Sequence, residues 1–174
     1  WFVLSDSPPE RDVIWTESGV EGAYRFVQRV WRCVVLSAPV LKEVIPCTGH
    51  QGTALELSKA AHRMLCTVED DLEKFAFNRA IARLYEFLNI MAPLLNKVAS
   101  VEDEMKASLR QAMDFFLALI APIMPHLAEE CHAALGEKTL ICELPWPVYD
   151  PALIVEDCCT LPVQINGKKR GEVT

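Results

Sequence analysis

The sequence lacks the features of a membrane or secreted protein. It has no run of about 18 uninterrupted apolar residues, the length needed for a membrane-spanning helix. Its first residues have no charged stretch before an apolar run, so a secretory signal is not expected. An initiator methionine is also missing and the last residues resemble an unfinished strand, so we interpret the chain as a piece of a longer protein. The predicted location is cytoplasmic.

Catalytic and metal-binding motifs are also missing. There is no glycine-rich phosphate loop, no G-x-S-x-G and no H-E-x-x-H, so no catalytic residue is predicted. The seven cysteines include no C-x-x-C pair, and their odd number favours buried free thiols over disulfides or a metal. His126 and Glu130 are four apart on one predicted helix face, but two ligands do not complete a site, so structural pairing or capping is preferred.

What the sequence does contain is enough apolar residues for one good core, since 51% of its 174 residues are hydrophobic. These residues recur at helical spacing in successive segments with short links. The pattern predicts an all-α fold, an antiparallel bundle of four to five helices. The expected helices lie after Thr16, at about 53–74, at 77–95, behind Ser100–Asp103 and at about 125–135.

Turn-forming residues divide the chain. Residues 1–18 are predicted to be an irregular connector, because Pro8 and Pro9 lack amide donors. Residues 19–136 form the predicted bundle, in which Ser37 to Gly52 is expected to be a connection. Residues 137–159 are a linker packed on the bundle. Residues 160–174 are predicted to be the truncated start of another domain, a short β-hairpin with a turn at Asn166-Gly167.

The first predicted helix has an apolar stripe and a basic face. On a wheel of about 100° per residue, Arg25, Arg29 and Arg32 fall within roughly 60° of one another, opposite the stripe. From Gly22 to Lys42 there are four basic residues and no acidic one, in a chain of formal net charge -7. The residues predicted to form the stripe are Val20, Tyr24, Val27, Trp31 and Val34.

Two interpretations of this basic face remain open. A row of arginines on the outside of a bundle is often a solvated face, yet guanidinium groups at this spacing also suit the phosphates of a nucleic-acid backbone. Lys59 and Arg63 give the next helix a basic first half. Lys168, Lys169 and Arg170 form a weaker basic cluster.

Four blocks of the sequence resemble one family. The segment LSDSPPERDVIWTESGVEGAYRFVQRVWR closely resembles the part of bacterial leucyl-tRNA synthetases that follows their catalytic domain. Residues 68–83, 121–130 and 161–168 resemble, in the same order, the junction of the second and third helices, the last bundle helix and the first strand of the C-terminal domain. Cys131 and His132 depart from the family, which usually has an apolar residue and Trp at these positions.

The resemblance implies the helical anticodon-binding-type domain of a class Ia synthetase, which holds tRNA(Leu). Arg25 and Arg29 match family positions implied in tRNA contact, and Arg32, Lys59 and Arg63 are added from their place on the helix wheel. The parent enzyme would attach leucine to tRNA using ATP with Mg. Its catalytic domain is expected to lie against Ser5, Asp6, Ser7, Pro8 and Pro9.

Further expectations and alternatives follow from the resemblance. Neither HIGH nor KMSKS occurs in the chain, so the fragment alone is predicted to be inactive and to hold no cofactor. A monomer that contacts the other domains of its own chain, and no membrane, is expected. The alternatives are the equivalent domain of a valyl-, isoleucyl- or methionyl-tRNA synthetase, or a free-standing helical module that binds an acidic protein.

Overall fold

The structure is a computed structural model that describes residues 1–47, 49–155, 161–165 and 168–173, the last two ranges as backbone only. The helices and strands of these residues are α1 (Phe2–Asp6), α2 (Glu17–Leu41), α3 (Gly52–Glu73), α4 (Phe77–Leu95), α5 (Asp103–Ile120), α6 (Pro125–Ala134), α7 (Pro151–Ile154), β1 (Leu161–Ile165) and β2 (Lys168–Val173). Short 3-10 turns lie at Val98–Ser100 and Ile141–Glu143. Within the described ranges, no helix is both long and apolar enough to cross a membrane.

The strands β1 and β2 pair antiparallel, with Leu161 opposite Val173 and an irregularity between Val163 and Gln164. The predicted turn at Asn166-Gly167 lies outside the described residues. The remainder of the fold is helical, which confirms the helical prediction.

Three helices agree closely with the sequence pattern, and two segments differ from it. α3, α4 and α6 begin and end within one residue of their predicted limits. The N-terminal segment is not irregular throughout, because it contains α1, which packs against α2 and α4. The predicted connection after Ser37 is partly wrong as well, because α2 continues to Leu41 with Pro39 inside its last turn. Because Pro39 lies near the end of the helix, its missing N–H removes only one backbone hydrogen bond there.

The core lies where α3, α4 and α5 meet, with α2 and α6 packed against α5. Its largest fully buried side chains include Leu65, Leu84, Met113 and Phe116. α7 packs on α3, and the backbone N–H of Asp150 donates a 2.9 Å hydrogen bond to His62 Nδ1. The linker after α6 is therefore held on the helices by its own backbone.

The apolar stripe predicted for α2 is right at Val34, which is fully buried, and wrong at Tyr24 and Trp31. Tyr24 is 62% exposed and Trp31 is 37% exposed, whereas Phe26 and Val30 are buried. The buried face is rotated by roughly 80° from the predicted one. The reason is an aromatic stack: the Trp1 ring lies 4.4 Å from that of Phe26, and Tyr85 of α4 contacts Phe26 at 4.1 Å between ring centroids.

Two groups of internal ion pairs hold the helices together. The buried carboxylate of Asp71 in α3 lies 2.7 Å from Arg79 Nη2 and 2.5 Å from Arg83 Nε, both in α4. The second group is centred on Arg110 of α5, whose side chain is only 5% exposed. Arg110 contacts Asp114 at 3.0 Å, the carboxylate of Glu137, and the backbone carbonyl of Leu41 at 3.1 Å.

Candidate nucleic-acid interface

α2 directs its three arginines away from the core. Arg25, Arg29 and Arg32 are all exposed, and their centre lies roughly 130° around the helix from the centre of the buried face. The buried face of α2 therefore differs from the predicted apolar stripe, but the guanidinium groups still lie outside. The structure places these three predicted residues together on one helix face.

The arginines differ in their contacts. Arg25 Nη1 lies 2.9 Å from the carboxylate of Glu21, one turn earlier, and both side chains are mostly exposed. Arg29 Nη1 donates a 2.6 Å hydrogen bond to Asn89 Oδ1 of α4. An exposed pair of this kind contributes only about 0.2–1 kcal/mol, so a phosphate can displace Glu21 at little cost. Asn89 is neutral and leaves the charge of Arg29 available.

The start of α2 is fixed by local sequence. Thr16 is the N-cap, and its Oγ1 accepts a 3.3 Å hydrogen bond from the N–H of Gly19. A side chain at Gly19 would not fit, because its Cβ would lie 2.4 Å from Phe2 Cε2. Glycine at this position therefore lets α1 pack against the first turn of α2.

A depression of about 350 Å³ lies beside the basic face, where α1, α2 and α4 meet. Arg25 and Arg29 both line it, with Tyr85 and the hydroxyl-bearing Ser5. The sequence did not predict this depression, because the depression depends on how α1 packs. It also depends on the open space at Gly22, where an added Cβ would have only Arg25 within 4 Å. A concave surface with two guanidinium groups at its edge can receive a phosphate group.

Lys59 and Arg63 lie on α3, apart from the α2 set. Lys59 is half-buried and lies 3.3 Å from Glu56, and Arg63 is exposed. α3 packs mainly on α4, α5 and α7, whereas α2 packs on α1, α4, α5 and α6. The structure therefore does not gather all five predicted basic residues into one cluster.

The predicted contact residues before α2 are partly tied to the helices. Ser5 Oγ donates to the Phe2 carbonyl at 2.9 Å, and Ser7 Oγ donates to Asp6 at 2.8 Å. Asp6 and Pro9 are exposed, while Ser5, Ser7 and Pro8 are half-buried. The flanking parts of the sequence carry the exposed apolar side chains of Val3, Ile14 and Trp15.

No metal centre is formed in the part of the chain that the structure describes: no group of three or more His, Cys, Asp or Glu side chains could hold an ion there. His126 and Glu130 are both exposed. The described cysteines are unpaired, and burial raises the pKa of the Cys131 thiol to about 12. This thiol is therefore protonated at neutral pH.

Comparison with known proteins adds a family and several relatives. A family model described as the anticodon-binding domain of tRNA ligase matches residues 55–174. A leucine–tRNA ligase of Bartonella quintana is 98% identical over the whole chain, which covers 20% of that protein. The corresponding ligase of Brucella ovis is 58% identical, again over the whole chain, with 21% of that protein covered. The chain thus spans about a fifth of the length of the curated relatives it matches.

A solved structure is also similar. It is the crystal structure of a ternary complex of Agrobacterium radiobacter K84 agnB2 LeuRS with tRNA and LeuAMS. The superposition covers 99% of this chain and 22% of that chain, with a TM-score of 0.78 and 26% sequence identity. Because this match covers 99% of the chain, it extends beyond the range of the family model into the region before residue 55, where the three arginines of α2 lie.

Proposed function

The chain belongs to the family of anticodon-binding domains of tRNA ligases, and from this premise we propose that it is the tRNA-positioning part of a leucine–tRNA ligase. The near-identical relatives are named leucine–tRNA ligases, and the similar structure is a complex with tRNA. These names favour the leucine enzyme over the valyl, isoleucyl and methionyl alternatives. The parent enzyme would act in the cytoplasm, where tRNA is used in protein synthesis.

The observation that carries the proposal is the outward face of α2. Arg25, Arg29 and Arg32 are exposed on one side of a helix in a chain of net charge -7, and the carboxylate of Glu21, which pairs with Arg25, is itself exposed. Guanidinium groups bind phosphate oxygens well, and such contacts position a nucleic acid without reading its sequence. Lys59 and Arg63 on α3 would extend the contact along the tRNA.

The rest of the parent enzyme would supply the chemistry. The sequence contains neither HIGH nor KMSKS, so ATP with Mg and leucine would bind to another domain, and this chain would only place the tRNA. The exposed apolar side chains of Ile14 and Trp15 support a domain contact at residues 5–9. We place the connector at residues 1–18, a four- to five-helix bundle at 19–136, the linker at 137–159 and the start of the C-terminal domain at 160–174.

A salt titration tests the tRNA contact. Fluorescence anisotropy with a tRNA(Leu) transcript, repeated between 50 and 200 mM KCl, is expected to give a log–log slope of roughly -2 to -3 if about three phosphates are neutralised. Arg25→Ala with Arg29→Ala should reduce the magnitude of the slope by about 2. The matched control is Lys97→Ala with Lys138→Ala, which removes the same charge from two exposed sites on other segments.

The two variants give different outcomes if the proposal is right. Equal losses of tRNA affinity in both variants would mean that only net charge matters. An unchanged salt slope in the arginine variant would contradict the assignment of Arg25 and Arg29 to the tRNA contact. The protein-interaction alternative predicts that an acidic polypeptide competes better than tRNA. The predicted inactivity of the isolated chain is checked by pyrophosphate exchange with leucine and ATP, in which no signal is expected.

A further inference from the structure

A row of exposed rings lies beside the arginines of α2. Tyr24 and Trp31 are both exposed. Because they are seven residues apart on one helix, they lie within about 20° of each other around it and about 10 Å apart along it. Val35 is exposed as well and continues the row. Large apolar side chains that share one exposed helix face, rather than being scattered singly, mark an interaction surface.

The partners of these rings distinguish them from Phe26, the third aromatic residue of α2. Phe26 is buried and stacks against Trp1. Among the residues whose side chains the structure describes, neither Tyr24 nor Trp31 forms a hydrogen bond or contacts another aromatic ring. The exposed part of each ring can therefore receive a partner from outside the bundle.

The arginines indicate which partner suits the rings. Tyr24 directly precedes Arg25 and Trp31 directly precedes Arg32, so each ring has a guanidinium about 100° away around the helix. The row of rings and the row of arginines therefore run side by side along α2 with the same spacing. One row attracts phosphate and the other offers faces for stacking. A purely acidic partner would use only the first, and a purely apolar partner only the second.

Unpaired RNA has both kinds of group on its surface. In a duplex the faces of the bases are stacked inside, so a duplex offers α2 only its phosphates and sugars. In a single strand the bases can stack on aromatic side chains while the phosphates remain available to arginine. The exposed amide of Gln28, which lies between the two rows, can donate and accept hydrogen bonds at the edge of a base.

We propose that α2 binds an unpaired stretch of tRNA, with bases stacked on Tyr24 and Trp31 and phosphates paired with the arginines. This inference rests on the proposed tRNA function and adds which part of the tRNA is bound. Phosphate contacts alone would accept any part of the molecule, paired or unpaired. The two rings restrict the contact to a loop or another unpaired segment.

The test uses the 174-residue chain and two forms of one RNA. The first is a fluorescein-labelled strand of about 12 nucleotides that cannot pair with itself, and the second is the same strand annealed to its complement. In anisotropy titrations at about 50 mM KCl, the single strand should bind about tenfold more tightly than the duplex, because only its bases can reach the rings.

Substitutions at the two rings separate stacking from charge. Tyr24→Leu with Trp31→Leu keeps apolar side chains but removes the ring faces, so affinity for the single strand should fall about tenfold and affinity for the duplex should not change. The salt slope should also stay the same, since the arginines remain. Tyr24→Phe with Trp31→Phe should retain most of the affinity. The matched control is Phe75→Leu with Trp146→Leu, at sites that are 66% and 40% exposed.

Three results would overturn the proposal: equal affinity for single strand and duplex, equal losses in the leucine variant and its control, or displacement of the single strand by polyglutamate more readily than by unlabelled RNA. The first two would leave the tRNA contact standing, because the salt slope of the arginine variant tests it separately. If circular dichroism shows that the leucine variant is unfolded, the comparison of the two RNA forms on the unaltered chain decides the question.

Discussion

The arginines of α2 and those of α4 and α5 have opposite environments. Arg25 and Arg29 lie outside, one beside an exposed carboxylate and the other beside an amide. Arg83 and Arg110, in contrast, contact carboxylates that are wholly or largely buried. Residues of one type in one domain thus have two roles: those of α2 form an exposed surface that we propose binds a polyanion, and those of α4 and α5 link helices.

The position of the carboxylates causes this difference. Asp71 is fully buried in α3, where a carboxylate without a cationic partner is strongly destabilising, and Arg79 and Arg83 supply that partner. From Gly22 to the end of α2 there is no acidic residue to do the same. An arginine therefore remains exposed where its own helix and the neighbouring helices offer no buried acid.

The largest effect is expected from Arg110→Ala, with a loss of about 3–5 kcal/mol in the free energy of unfolding. The substitution leaves Asp114 half-buried and close to Glu137, with no cation to compensate it. Urea unfolding followed by circular dichroism measures the loss. Arg32→Ala, on the exposed face of α2, should stay within about 0.5 kcal/mol. Similar losses of stability in the two variants would contradict the difference between the buried and the exposed arginines.

A smaller loss of about 2 kcal/mol is expected from Arg83→Ala, because Asp71 keeps Arg79 as one partner. Arg79→Ala should cost less, since the Arg79 side chain is the more exposed of the two. Asp71→Asn should reduce the difference between the two arginine variants in a double-mutant cycle. Thermal and urea unfolding check the order, and a cost of Arg79→Ala above that of Arg83→Ala would contradict it.

The buried imidazole of His62 gives a third prediction, in which the stability of the chain depends on pH. Burial lowers the pKa of His62 below its ordinary 6.5, against the raising effects of Asp150 and Gln111, and His50 lowers it further. Below 6.5 the unfolded chain therefore binds more protons than the folded chain, so stability is complete above pH 6.5 and decreases as pH falls through the lowered pKa. Protonation also removes the acceptor of the Asp150 hydrogen bond.

Urea unfolding at pH 7.5, 6.5 and 5.5 measures this dependence. His62→Gln should make stability less sensitive to pH in this range, whereas His126→Gln, at an exposed site, should keep the sensitivity of the unaltered chain. If both variants retain the full dependence, His62 is not its source.

The smallest effect is expected from Glu21→Gln, which sharpens the comparison on the α2 side. It removes the carboxylate that lies 2.9 Å from Arg25, so tRNA affinity should rise about two- to threefold while stability changes by less than about 0.5 kcal/mol. Glu86→Gln on α4 is the matched control for net charge. Anisotropy titrations at 100 mM KCl test both, and equal gains would show that Arg25 is not the group released.

The sequence was sufficient for α3, α4 and α6 and for the outward arginines, but not for α1 and α7, the end of α2 or the face of α2 that is buried. Apolar residues surround most of this helix, so periodicity alone could not choose between the side of Tyr24 and that of Phe26. The choice depends on Trp1, at the start of the chain, and on Tyr85 of α4, neither of which belongs to α2. Spacing shows which residues share a face but not which face finds a partner.

The same limit applies to the sites. Asn89 could not be assigned to Arg29 from sequence, because 60 residues separate them and only the crossing of α2 and α4 brings them together. A cleft of about 480 Å³ between α5, α6 and the segment after α6, lined by His132 and Trp146, was also not predicted, since that segment has no helical period. In the sequence, this region stood out only through the spacing of His126 and Glu130 and the departure at Cys131 and His132 from the resembling family.

The aromatic stack at the start of the chain has a practical consequence for spectroscopy. The indole of Trp1 lies against Phe26 and donates to the Tyr85 hydroxyl at 3.1 Å, whereas Trp15, Trp31 and Trp146 are exposed. Iodide in solution should therefore quench those three tryptophans first and leave the emission of the shielded one. The emission of Trp1 therefore reports on the contact between α1 and α2, the helix that bears the arginines.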